Sequence, residues 1–133
     1  MNKQDATEPF GPVIYSYTRA QAVADGFQVE VTKTAAEAGI RFPVFLTRAV
    51  FDNYVVVPPG VTGQDEAGRL WDLLHLLRLA LRRAAPGRDR LPFALYVRND
   101  DCRPRLVKLV ATCGPLDLDD WQPAITVLMP NED

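Results

Sequence analysis

The sequence predicts an α+β domain, with a mainly antiparallel sheet packed on one long amphipathic helix (about residues 65–84) and two short N-terminal helices. Short alanine-rich segments that end at glycine alternate with apolar runs in the first third of the chain, and strand-like segments dominate after the long helix. A chain of 133 residues has the length of one domain. We expect residues 13–133 to form that domain, after a flexible arm over residues 1–12.

The N-terminal third carries clear start and stop signals. Residues 13–17 are β-branched and aromatic, which favours a strand. Thr18 has the position of a helix N-cap, and Gly26 that of a terminating glycine with positive φ. The segment FQVEV alternates as a half-buried strand does, and TKTAAEAG predicts a second short helix between a threonine cap and Gly39. Thr47 is predicted to cap a turn of helix through RAVFDNY.

The long helix carries one polar stripe, with polar residues at spacings of three and four: Arg69, Asp72, His75, Arg78 and Arg82. Leucines and Trp71 cover the rest of its circumference, so we expect the sheet to wrap the helix or pack across it. The same polar residues exclude a membrane span, which needs about 20 apolar residues. The start of the chain lacks a secretory signal pattern, so a cytoplasmic location is expected.

The last third predicts strands. LPFALYV and RLVKLVATC form an antiparallel hairpin across the turn-rich RNDDCRP, and the loop GPLDLDDWQP leads to a final strand, AITVLM. Cys102 falls in the hairpin loop and Cys113 at the far end of the returning strand. At about 3.3 Å per residue the two thiols are too far apart to form a disulfide.

No motif indicates a catalytic centre. One histidine and two separated cysteines are too few for a transition-metal site. His75 is the single imidazole, and no nucleophile lies at a recognisable spacing from it. Neither the dinucleotide-binding nor the P-loop glycine pattern occurs. We therefore predict no catalytic residue, no metal ligand and no cofactor.

Charge is unevenly distributed along the chain, although the net charge is -2. Residues 69–108 hold ten Lys and Arg against four Asp and Glu, whereas residues 109–133 hold none against five. If the hairpin folds back over the end of the long helix, the basic residues form one face for phosphates or an acidic protein surface. Arg19, in the joint between the first strand and helix, is the remaining candidate. The predicted binding residues are Arg19, Arg78, Arg82, Arg83, Arg98, Arg103, Arg105 and Lys108.

Several stretches resemble a family of short uncharacterised proteins encoded on bacterial plasmids, integrative elements and related mobile DNA. They are IYSYTRAQAVADG, EAGIRFPVFLT, DEAGRLWDLL, RPRLVKLVATCGP and ITVLMPNED. The resemblance covers nearly the whole chain from about Ile14 and brings no catalytic residues with it. It implies a cytoplasmic accessory protein of a mobile element, a setting in which small proteins often inhibit host defence, as anti-restriction and anti-CRISPR proteins do.

Three functions stay open at this point. The first is a non-enzymatic accessory protein of a mobile genetic element that inhibits a host defence system by contact with a host or element-encoded protein. The second is nucleic-acid binding through the arginine-rich face. The third is a small enzyme with a nucleotide-binding cleft lined by Tyr15, Tyr17, Arg19 and His75. No membrane partner is expected, and the sequence leaves the oligomeric state open.

Overall fold

The computed structural model describes residues 17–100 and 102–132. The helices in this part of the chain are α1 (Arg19–Ala24), α2 (Thr32–Glu37), α3 (Arg48–Tyr54) and α4 (Glu66–Arg83). The strands are β1 (Gln28–Glu30), β2 (Val44–Thr47), β3 (Arg90–Val97), β4 (Arg105–Asp117) and β5 (Asp120–Leu128), in one sheet of order β1-β2-β5-β4-β3. The predicted α+β class is confirmed. The arm expected over residues 1–12 and most of the strand expected over residues 13–17 lie outside the described residues.

The sheet is mixed, which corrects the prediction of a mainly antiparallel sheet. β2 runs parallel to β5, with Val44 opposite Ile125 and Leu46 opposite Val127. The β1–β2, β3–β4 and β4–β5 pairs are antiparallel. The parallel pair was missed because it joins two strands separated by α3, α4 and a hairpin. Periodicity within a strand carries no information about such a partner.

Local capping sets the ends of the short helices. At α1, Thr18 and Gln21 form a capping box. At α3, the Thr47 hydroxyl accepts a hydrogen bond from a backbone N–H in the first turn. Gly26 and Gly39 follow α1 and α2 with φ of 83° and 98°, as predicted.

The start of α2 differs from the prediction. Its N-cap is Val31, which makes no side-chain capping bond, and Thr32 is the first helical residue. The Thr32 hydroxyl instead accepts a hydrogen bond of 3.2 Å from the N–H of Val44. The predicted cap therefore ties α2 to β2.

The main core lies on one face of the sheet. Side chains from α2, α3 and α4 pack there against alternate residues of the strands, including Val44, Leu46, Leu109, Ile125 and Val127. α4 shares this core with the shorter helices and leaves Trp71 and His75 exposed. The domain is therefore not built on one long helix, and the sheet does not wrap around α4.

Arg69 of α4 is buried, at 7% exposure, although the sequence placed it on the polar stripe. Its guanidinium donates to the carbonyls of Tyr54 (3.2 Å) and Arg98 (2.9 Å) and to the side-chain oxygens of Gln64 (2.8 Å) and Asn99 (2.6 Å). Burial, and then the charge of Arg98, lower the pKa of this group. One cation therefore joins the end of α3, the loop before α4 and the β3–β4 turn.

The segment predicted as the loop GPLDLDDWQP is a hairpin. At the pair Cys113–Ile125, the two N–H groups point away from the β4–β5 hairpin. That of Cys113 donates to the carbonyl of Asp89, and that of Ile125 donates to the carbonyl of Pro43. The next pair with this orientation is Pro115–Pro123, and proline has no N–H to offer a neighbouring strand. Lateral pairing therefore stops, and residues 114–123 extend beyond β2 and β3 as a two-stranded arm.

Candidate binding groove

Apart from Arg19, the predicted basic residues fall into two sets at opposite ends of α4. Arg69, near the start of α4, donates to the carbonyl of Arg98 at the β3–β4 turn. Arg82 and Arg83 lie in the last turn of the same helix. The rise of 1.5 Å per residue separates Arg69 from Arg82 by about 20 Å. The hairpin turn therefore does not fold over the helix end that carries Arg78, Arg82 and Arg83, and no single basic face forms.

The residues around the β3–β4 turn have different environments. Arg98 donates to the carbonyls of Thr62 and Asp100, and Arg105 forms an exposed ion pair of 3.5 Å with Asp100. Arg103 and Lys108 are exposed. Lys108 precedes the buried Leu109 in β4, so its side chain lies on the sheet face away from α4.

Arg19 has a structural environment that the sequence did not reveal. Its guanidinium donates to the Leu116 carbonyl, to Gln28 Oε1 (2.9 Å) and to Thr126 Oγ1 (2.8 Å), and it lies 4.2 Å from the centre of the Phe45 ring. Burial lowers its pKa. Arg19 therefore joins α1 to β1, to β5 and to the arm, and its donors already have partners inside the protein.

Asp117 completes the joint at the start of α1. Its carboxylate accepts hydrogen bonds from the N–H groups of Leu118 (2.8 Å), Ala20 (3.0 Å) and Arg19 (3.1 Å). The Leu118 bond, followed by the bonds from α1 and the charge of Arg19, holds the pKa of this carboxyl below its usual range. The arm and α1 are thus held together by charged hydrogen bonds on both sides of the joint.

Arg19 and His75 do not share a cleft. Arg19 contacts Phe45 and Thr126, which alternate along β2 and β5 with the core residues that face α4. Neighbouring residues of a strand point to opposite faces, so the sheet lies between Arg19 and His75. Tyr17 lines a surface cavity together with Arg19, and Tyr15 lies outside the described residues.

A groove forms where the α2–β2 connection meets the last turns of α4. Its cavity volume is about 360 Å³, within the range of roughly 300–1,000 Å³ common for ligand sites. It is lined by Gly39, Ile40, Arg41, Phe42, Arg78, Leu81 and Arg82, and we call this set the basic groove.

Gly39 allows the Arg78 side chain to form one wall of the basic groove. Its φ of 98° suits glycine, and a Cβ at this position would lie 2.6 Å from Nε of Arg78. The absence of a side chain lets Arg78 cross over the connection. The sequence pattern around Gly39 predicted a helix stop and gave no indication of this contact.

The basic groove combines an apolar floor with a cationic rim. Ile40 is buried, Leu81 is half-buried, and the Phe42 ring is 46% exposed. Within the described part of the chain, Arg41, Arg78 and Arg82 make no ion pair and no side-chain hydrogen bond. Three guanidinium groups beside exposed apolar surface are suited to an anionic ligand that also carries an apolar group.

The sequence identified two of these three arginines. It missed Arg41 and Phe42, whose only signal is their place in the short segment between Gly39 and Pro43. Comparison with family models, curated proteins and solved structures found no match to this chain. Among residues 17–100 and 102–132, no helix is long and apolar enough to cross a membrane, and no three of His, Cys, Asp and Glu come together as metal ligands would.

Proposed function

We propose that this chain is a non-enzymatic binding protein whose basic groove holds a short acidic segment of another protein, anchored by an apolar side chain. The observation that carries the proposal is the set of Arg41, Arg78 and Arg82 around Phe42 and Leu81, with no acidic partner for these arginines among residues 17–100 and 102–132. Carboxylates would pair with the guanidinium groups, and the apolar anchor would cover the floor. Such a contact gives fast, salt-sensitive association and selects against basic partners.

A protein ligand is favoured over a nucleic-acid strand by the distribution of the arginines. Strand binding uses a positive track that follows several phosphates, with aromatic rings on which bases stack. Here Arg103 and Arg105 lie at the end of α4 opposite to the groove, and Phe42 is the one aromatic residue among the described residues that line the groove. A compact acidic segment fits this arrangement better than an extended polyanion.

The biological setting is part of the proposal. On the basis of the resemblance to proteins of mobile elements, we propose that the partner is a component of host defence and that the two proteins meet in the cytoplasm. In this role the protein would act by occupying a surface that the partner needs, without chemistry of its own.

The experiment uses two labelled probes, an acidic peptide with a central tryptophan and a single-stranded oligonucleotide of equal net charge, in fluorescence anisotropy titrations. We expect the double variant R41A/R82A to bind the peptide at least about tenfold more weakly, the equivalent of about 1.4 kcal/mol. Arg103→Ala is the matched control, because its side chain is exposed at the far end of α4, and it should leave the affinity unchanged.

Two results would contradict the proposal. The first is peptide affinity that does not change in the double variant. The second is tighter binding of the oligonucleotide with a steep salt dependence, which would replace the acidic protein segment by nucleic acid.

A further inference from the structure

The tip of the arm has the opposite chemistry to the basic groove. Trp121 is 84% exposed and Leu118 is 59% exposed. Asp119 and Asp120 lie between them, also exposed, and form no ion pair within the described residues. A tryptophan side chain offers roughly 150–250 Å² for burial, so the exposed indole on this acidic hairpin is an apolar surface that a binding partner can bury.

The arm tip and the basic groove lie at the same end of the domain, although Leu118 of the tip lies beside Tyr17 and Thr18 on the α1 side of the sheet. Trp121 is four residues before Ile125 in β5, so alternation places it on the sheet face that packs against α4. Ile125 is paired with Val44 of β2, and Phe42 of the groove comes two residues before Val44. The groove of the same molecule does not hold Trp121, because the indole is exposed.

We propose that two copies of this chain associate reciprocally, with the arm tip of each copy seated in the basic groove of the other. Trp121 would be the apolar anchor against Phe42 and Leu81, while the tip carboxylates pair with the groove arginines. Since arm and groove share one end of the domain, a two-fold axis at that end can form both contacts at once. This inference rests on the proposed function, since it takes the groove as a site for an acidic segment and names a second copy as one source of that segment.

The reciprocal contact regulates the groove. In the dimer both grooves are occupied, so an external acidic partner has to displace the arm tip of the second copy. Dilution or added salt shifts the population toward monomers with open grooves, because salt screens exposed charge pairs.

The test is sedimentation velocity of the full chain over a range of concentrations, at low and at high salt. Trp121→Ala removes the anchor and leaves the groove intact, whereas Arg82→Glu reverses a groove charge and leaves the arm intact. Each variant alone should raise the dimer dissociation constant at least about tenfold. An equimolar mixture should associate more tightly than either variant alone, because an intact arm then meets an intact groove.

Tyr96→Ala is the matched control. Tyr96 is 71% exposed in β3 and lies opposite Leu106 of the neighbouring strand β4, away from the arm. Removal of the Tyr96 ring should therefore leave dimerisation unchanged. Circular dichroism shows whether each variant keeps the fold.

A chain that stays monomeric at every concentration overturns the inference, and so does a dimer that survives both substitutions or a mixture that associates no better than the single variants. If the chain is monomeric while the acidic peptide still binds and R41A/R82A weakens that binding, only the dimer is wrong. If dimerisation depends on both surfaces but no external acidic peptide binds the monomeric Trp121→Ala variant, the proposed function fails by itself.

Discussion

Arg69→Met tests whether one buried cation holds three segments together. The substitution keeps an unbranched side chain of suitable length at a buried helix position and removes all hydrogen-bond donors. Four acceptors then lose their partner, among them the backbone carbonyls of Tyr54 and Arg98. The side-chain oxygens of Gln64 and Asn99 can turn toward water, whereas the two carbonyls are fixed by the backbone.

The expected loss follows from those two carbonyls. A buried acceptor left without a donor costs about 1–3 kcal/mol. The guanidinium was itself costly to desolvate, which is why burial lowers its pKa, and its removal returns part of that cost. We expect the free energy of unfolding to fall by about 2–4 kcal/mol, a large share of the roughly 5–15 kcal/mol typical of a domain.

The assay is urea denaturation followed by circular dichroism and by tryptophan fluorescence, which Trp71, two residues along the helix, shares with Trp121. Arg83→Met is the matched control, since Arg83 is exposed on the same helix, does not line the basic groove and makes no side-chain hydrogen bond within the described residues. That control should change stability by less than about 0.5 kcal/mol. A stability for Arg69→Met equal to or above that of the control would refute the reasoning.

Three further outcomes are expected. Tyr17 donates a hydrogen bond to Asp25 (2.6 Å), which raises the pKa of its phenol to about 12. Asp25→Asn should lower that pKa toward its ordinary value in an absorbance titration. An unchanged pKa would contradict Asp25 as the cause of the shift. The pKa of Asp117 is depressed in the folded state, so its contribution to stability is present above the unfolded pKa of about 3.9 and disappears as the pH falls through the folded pKa. Urea curves of Asp117→Asn and the unaltered chain should therefore differ near neutral pH and converge on acidification. Gly39→Ala and Gly60→Ala each should lower the free energy of unfolding by about 1–2 kcal/mol, because both glycines have a positive φ. Only Gly39→Ala displaces Arg78 and should weaken binding of the acidic peptide. Equal effects of the two substitutions on binding would contradict the groove geometry.

Several elements could be predicted from the sequence because they depend on interactions between residues close together in the chain. The capping box at Thr18, the cap at Thr47 and the positive φ of Gly39 depend on residues a few positions apart, so the chain carries their signals directly. The β3–β4 hairpin was readable for the same reason, because a turn-rich segment joins two strand-like runs. The α+β class followed from these elements together.

The errors concern residues whose partners lie far along the chain. Arg69 and Arg78 occupy the same periodic stripe, and only the neighbours supplied by the β3–β4 turn and the α2–β2 connection distinguish a buried cation from a groove arginine. Arg19 looked like a free cation because its acceptors, Leu116 and Thr126, come from the opposite end of the sequence. A periodic pattern reports which side a residue occupies and not what covers that side.

The sequence by itself determined the class of the fold, the caps of α1 and α3, the glycines that follow α1 and α2, and the contrast between a basic middle and an acidic last segment. Only the tertiary structure decided that β2 pairs parallel to β5, that residues 114–123 project as an arm, and that a groove with three arginines lies at the same end. The physical reason is the separation along the chain of the residues that interact. Caps and turns are satisfied by neighbours within one turn of chain, whereas strand order and the meeting of Gly39 with Arg78 depend on contacts that form only when the whole core has packed.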